Sequence, residues 1–165
     1  MKLSFSIATQ ADASALATLH TDVAEDLTNR YGIGPWSSKT KEKSVLFGMR
    51  HSRVVVARSG NKIVGTLRLA KKKPWAIDVD YFTPVKKLLY LTNMAVIPAL
   101  QRQGIGRLLI EEAVKQVRAW PADAIRLDAY DANAGAGAFY AKCGFCERGR
   151  VTYRKAPLIY FELFL

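Results

Sequence analysis

The stretch from Leu88 to Ala129 constrains the fold more than any other part of the chain. Leu88 to Val96 is apolar enough for a central strand, and Pro98 stops it. From Gly104 to about Trp120 the residues Ile105, Leu108, Leu109, Ala113, Val117 and Trp120 share one helical face, and Pro121 ends the pattern. Ile125, Leu127 and Ala129 then alternate as in a strand. Strand, helix and strand at this spacing predict a right-handed βαβ unit with parallel strands. A ligand crevice is expected beyond the carboxyl ends of that pair.

The elements around this unit point to a mixed sheet. Leu3, Phe5 and Ile7 alternate, and Thr9 with Asp12 offers caps for a helix reaching about Arg30, with Ala15, Leu16, Leu19 and Val23 on one face. Gly32, Gly34 and Pro35 break it, and Ser37-Ser38 is read as the cap of a second helix with Val45, Leu46 and Met49 inward. Arg53 to Arg58 and Lys62 to Ala70, separated by Ser59-Gly60-Asn61, predict an antiparallel hairpin. Lys71 to Lys87 reads as a long loop or irregular hairpin. Asn133 is read as the cap of a short helix to about Cys143, followed by strands at Phe145 to Tyr153 and Leu158 to Leu165. This order implies an α/β fold: one mixed, mostly antiparallel twisted sheet with a central parallel pair and helices on both faces.

With 165 residues, half of them apolar or aromatic, the chain is expected to form one domain spanning 1–165. No apolar run approaches the roughly 20 residues that cross a bilayer, so no membrane partner and a cytoplasmic location are expected. The net charge of +11 attracts polyanions without choosing among them, since the basic residues are dispersed along the chain. Cys143 and Cys146 form a C-x-x-C, but Cys143 falls at a predicted helix end, and His20 and His51 lie far off in sequence. Two reduced, partly buried thiols and no metal are expected. The last strand, Leu158 to Leu165, offers an edge across which a homodimer would pair.

Between the central strand and its helix lies Gln101-Arg102-Gln103-Gly104-Ile105-Gly106. Two glycines at a helix start let a bulky phosphate approach the main chain, where the first-turn amides lack partners. Downstream, Asn133, Ala136, Tyr140 and Gly144-Phe145 form N-x-x-A-x-x-x-Y-x-x-x-G-F. Together with Val96-Ile97-Pro98 as V-x-P and the Q-x-x-G-x-G loop, this pattern resembles the GNAT superfamily of acyl-CoA-dependent N-acyltransferases over about Leu91 to Phe145.

The resemblance implies that the parallel strands splay apart and that acetyl-CoA is the acyl donor. Its pyrophosphate would lie on the amides from Arg102 to Arg107, hence on Arg102, Gln103, Gly104, Ile105, Gly106 and Arg107, with Gln101 opening the motif. Its pantetheine arm would pair with Met94, Ala95 and Val96 and touch Asn133. Tyr140 would face the sulfur as the catalytic proton donor to the departing thiolate. Many relatives carry a Glu where this chain has Tyr90, so the general base is open among Asp78, Asp80, Glu25 and Asp26. Tyr31, Trp36, Asp78 and Tyr81 are the expected acceptor-binding residues, an aromatic and acidic set suited to a cationic amine. That amine belongs to a metabolite, an antibiotic or a protein terminus, a small molecule being the leading expectation. The competing reading, a basic nucleic-acid-binding module retaining the fold, has no RNA-reading or helix-turn-helix signature behind it.

Overall fold

The computed structural model describes residues 1–73 and 75–165, so Pro74 of the expected long loop lies outside the described residues. Seven strands form one sheet: β1 (Leu3–Ile7), β2 (Ser52–Ser59), β3 (Lys62–Ala70), β4 (Leu88–Val96), β5 (Ala124–Tyr130), β6 (Cys146–Tyr153) and β7 (Ala156–Phe164). Their spatial order is β1-β2-β3-β4-β5-β7-β6, and only β4 and β5 run parallel. Four helices accompany them: α1 (Ala13–Tyr31), α2 (Glu42–Met49), α3 (Ile105–Gln116) and α4 (Gly137–Lys142). Among the described residues no helix is long and apolar enough to cross a membrane.

The alternation of side chains along the strands decides which layer covers which face. Val55, Ala57, Leu67, Leu69, Leu89, Leu91, Ile125, Leu127, Ile159 and Phe161 pack with Ile105, Leu109, Ile110 and Ala113 of α3 in the main core. Val54 and Val56 turn the other way, onto Leu16 and Leu19 of α1. On that second face β5 and β7 present polar groups. Glu162 is fully buried there between Arg126 (Nε to Oε1, 2.9 Å) and Arg148 (Nε to Oε2, 3.0 Å). The segment between β3 and β4 crosses this face as a strap. Tyr160 Oη donates to Ala76 O at 2.7 Å and accepts from Asp78 N at 3.0 Å, while Phe82 lies against Tyr160 and under the Arg126 guanidinium.

The parallel pair is short. Leu88, Leu89 and Tyr90 pair with Ala124, Ile125 and Arg126, and beyond Tyr90 the two strands part. A bulge reinforces the divergence: Thr66 pairs with Ala95 and Arg68 with Thr92, leaving Asn93 and Met94 opposite Leu67, with Asn93 at φ +50°.

Several sequence expectations shift. The second helix begins at Glu42, because Ser37 is engaged elsewhere: its Oγ accepts from Gly34 N at 3.0 Å and Thr28 Oγ1 at 2.7 Å. The third helix ends at Gln116 rather than about Trp120. Val117, Arg118 and Ala119 close tighter i→i−3 bonds ahead of Pro121, whose ring disfavours helix at Trp120. Leu108 is exposed, and Ile110 takes its place in the core. Ala136, not Asn133, immediately precedes α4. The last strand is no edge: β7 lies between β5 and β6, which removes the expected dimer edge. Cys143 closes α4 half-buried, but Cys146 is exposed rather than partly buried.

His20, on α1, is held beneath the helix with its imidazole pushed down to about 4, first by burial and then by the Arg68 guanidinium. The unfolded chain, with an ordinary imidazole near 6.5, therefore binds more protons between these values, and stability falls as pH drops from about 6.5 toward 4. At about pH 5 the loss attributable to His20 is about 2 kcal/mol. Urea unfolding at about pH 7.5 and about pH 5 should show it in the wild type, and His20→Gln should lack that share of the slope.

Candidate active site

Two adjoining hollows open where β4 and β5 diverge. The larger, about 560 Å³, runs between the end of α1, the loop before α3 and the β5–α4 turn. The smaller, about 380 Å³, is walled by Leu91, Thr92, Asn93, Asp128, Tyr130 and Trp75 among others. Met94 and Tyr140 belong to both.

The larger hollow brings a helix start with unpartnered backbone donors together with four cationic side chains. Gly104 precedes α3 at φ +85°, a left-handed conformation that an L side chain resists, and the first bond of the helix is Leu108 N to Gly104 O at 3.1 Å. The N–H groups of Ile105, Gly106 and Arg107 thus have no partner within the helix, and its dipole adds a positive field. Gln101 Nε2 donates to Val96 O at 3.1 Å and Gln103 Nε2 to Ala99 O at 3.2 Å, so both side chains brace the loop. Arg30, Arg102, Arg107 and Lys142 are the charged residues of this wall, with no carboxylate among them. A pyrophosphate and an extended arm fit these residues.

Gly106 is fitted closely as well. A Cβ there would meet Phe139 Cζ at 3.1 Å and Met94 Cε at 3.4 Å. Gly106→Val is expected to cost ~1–3 kcal/mol in urea unfolding through overpacking. It should weaken acetyl-CoA binding by isothermal titration calorimetry, and unchanged affinity would place the phosphate grip elsewhere.

Tyr140 stands at the junction of the two hollows, 7% exposed. Its Oη lies 3.7 Å from Met94 Sδ, and its ring packs edge-on against Phe139 and Phe145. Burial, then the negative charge of Asp128, raise its hydroxyl far above the ordinary phenol value. The group therefore keeps its proton throughout the physiological range.

Met94, Ala95, Val96, Gln101, Arg102, Gly104, Gly106, Arg107, Asn133 and Tyr140 all line the larger hollow, as does Tyr31. Ile105 is buried in the core, and Gln103 lies outside the lining. Of the other expected acceptor residues, Trp36, Asp78 and Tyr81 line neither hollow. Trp36 packs edge-on against Tyr130 at 5.8 Å, with its indole N–H on Gly32 O. Asp78 caps a turn of the strap by accepting from Asp80 N, and Tyr81 stacks on Tyr160. The strap carries both away from the crevice.

None of Asp78, Asp80, Glu25 and Asp26, the carboxylates expected to supply the base, lines either hollow. Tyr90 is buried; Glu25 is paired with Lys39 at 2.8 Å and Asp26 with Arg30 at 2.5 Å. Asp128, near the carboxyl end of β5, is the one carboxylate among the described residues lining either hollow, and Lys73 is its ion-pair partner. The same charge, after burial, raises the Tyr130 hydroxyl. In the sequence Asp128 is a polar residue between Leu127 and Ala129 and is not among the expected site residues. The available signal was an acid beside the crevice end of a parallel strand.

Comparison with known proteins bears on the family and the fold. The [Ribosomal protein bS18]-alanine N-acetyltransferase of Salmonella typhimurium is 29% identical over 134 residues, covering 81% of this chain and 80% of that protein. The ribosomal-protein-alanine N-acetyltransferase of Brucella melitensis superposes with a TM-score of 0.75 at 20% identity, covering 98% of this chain and 99% of that one. The PaiA N-acetyltransferase of Thermoplasma acidophilum, solved in complex with coenzyme A, gives 0.74 at 14% identity, covering 97% and 98%. Residues 19–145 match the acetyltransferase (GNAT) family, and with the splayed sheet and the glycine loop in place, the chain belongs to it.

Proposed function

We propose that the whole chain is a single N-acetyltransferase domain that moves an acetyl group directly from acetyl-CoA to a primary amine, most economically that of a small molecule. The observation that carries this reading is the position of Tyr140, a proton-retaining phenol on the boundary between an anion-binding cleft and a chamber holding one carboxylate. The co-substrate supplies the activated acetyl thioester. The amides at the start of α3 and the surrounding cations hold its phosphates, and the backbone from Met94 to Val96, which has no strand partner in β5, takes its arm and polarises its carbonyl.

The acceptor amine must be neutral to attack. Asp128 draws the ammonium in, displacing Lys73, and takes its proton directly or through one water. Tyr140 donates from Oη to the departing sulfur. Base and acid are thus separate groups on β5 and α4, and transfer needs no acyl-enzyme: Cys143 has no paired His to activate it, and burial raises its thiol further from use as a nucleophile.

Measuring CoA release with acetyl-CoA over a panel of amines, alongside acetyl-CoA binding by thermal shift, tests the reading. Stabilisation by acetyl-CoA and release with at least one amine are expected. Failure to bind acetyl-CoA would sink it. The panel should include a peptide with an N-terminal alanine, because the Salmonella typhimurium relative is named a ribosomal protein bS18-alanine N-acetyltransferase.

A further inference from the structure

A third cavity lies beneath α1 and α2, outside the two hollows already described. It is about 60 Å³ and is lined by His20, Thr40, Ser44, Thr66, Arg68 and Asn93 besides three aliphatic residues. A water occupies about 30 Å³ in the liquid, so the space suits one small polar group rather than a whole metabolite.

Arg68 dominates its chemistry. The Nε donates to Thr92 Oγ1 at 2.9 Å. The Nη1 lies so close under α2 that a Cβ on Gly48 would meet it at 2.4 Å, which makes Gly48 the opening that admits the guanidinium. Among the described residues no carboxylate lines the cavity and none forms an ion pair with Arg68. His20, neutral at pH 7, is the other titratable group there. A partly buried cation without a counter-charge is costly to keep, and the cost is offset when an anion arrives with matching hydrogen-bond geometry.

The cavity is continuous in its walls with the acceptor chamber. Thr92, which receives the Arg68 hydrogen bond, lines that chamber, and Asn93, at the bulge of β4, lines both. The chamber has its carboxylate, Asp128, on the β5 side. The two charges have the signs that complement a zwitterion.

We propose that this cavity receives a carboxylate of the acceptor, with Arg68 as its counter-ion, so that the acceptor is an amine that also carries a carboxylate. The inference rests on the acetyltransferase reading for the amine end alone. The shared chemistry, amine plus carboxylate, fits a free amino acid and a short acidic peptide alike.

The test uses matched amines in the CoA-release assay: alanine against ethylamine, 4-aminobutyrate against propylamine, and an alanine-initiated peptide with either an aspartate or an amide at its end. A charge-assisted pair is expected to favour the carboxylate-bearing member roughly tenfold to a hundredfold in kcat/KM. Which carboxylate benefits separates amino acid from peptide. Arg68→Met should abolish the preference without changing acetyl-CoA affinity, and Arg68→Lys, which keeps the charge but loses the planar fork, should retain part of it.

A second readout needs no turnover. The His20 imidazole, followed by NMR, should titrate at higher pH when propionate is added as a probe, because a bound anion favours the protonated ring. The Arg68→Met protein should show no such response. Equal use of the paired amines, a preference that survives in Arg68→Met, or a His20 titration indifferent to saturating propionate would each overturn the proposal. Absence of acetyl-CoA binding would instead overturn the enzyme reading, with the His20 measurement still deciding the anion site.

Discussion

Asp128→Asn is expected to lower turnover with any accepted amine by ~10²–10⁴-fold at neutral pH, the range that a positioned base contributes. The substitution keeps size and polarity at the carboxyl end of β5 but can no longer take a proton. The deficit should shrink as pH rises, because an amine with an ordinary pKa near 10 then supplies its own neutral form. A pH profile of kcat/KM therefore separates lost base function from lost folding, and acetyl-CoA binding should be unaltered. A loss that stayed constant from about pH 7 to about pH 9.5 would assign Asp128 a different task.

Tyr140→Phe is expected to reduce kcat by ~10²-fold or more while leaving acetyl-CoA affinity nearly unchanged, since the ring still fills its place against Phe139 and Phe145. Burial and the charge of Asp128 keep the native hydroxyl protonated, so its removal should change the height of the pH profile rather than its shape. An acetyl thioester of a more acidic thiol needs less help on departure and should recover much of the lost rate. Equal turnover in the variant would remove Tyr140 as the proton donor.

The parts of the fold readable in the sequence were those set by local periodicity. The switch from a continuous apolar run at Leu88 to Val96, to a helical stripe from Ile105, to alternation at Ile125 defines strands and helix before any partner is known. The hairpin around Gly60-Asn61 is equally local, with Ser59 opposite Lys62. What escaped depends on groups far apart in the chain. Nothing near Leu158 indicates that it will pair with Tyr130 on one side and Val151 on the other. Ser37 is a sound helix cap by residue type, but Thr28, nine residues earlier, claims its oxygen. Asp78 and Tyr81 lie in a segment rich in aromatic and acidic residues, the right composition for an amine pocket. Their destination is set by Tyr160, whose hydroxyl pins the strap to β7. The glycine loop was legible because it needs only backbone and one helix end. The role proposed for Asp128 was not, because it comes from being the one carboxylate at the crevice among the described residues.

The three residue pairs joining β4 to β5 give the sheet a seam. Met94 and the bulge belong to the half containing β1 to β4, whereas Asp128 and Tyr140 ride with β5 and with the helix packed on β7. Every degree of rotation about that seam therefore alters the gap between the strand expected to carry the acetyl donor and the groups expected to move protons. Besides the rungs, the strap fastened by Tyr160 ties one half to the other. On the proposed mechanism, the precision of the chemistry is thus set partly by a tether on the opposite face of the sheet from the α3 core. Loosening that tether, with Asp128 and Tyr140 intact, is expected to lower the proposed activity by detuning an angle rather than by removing a reactive group.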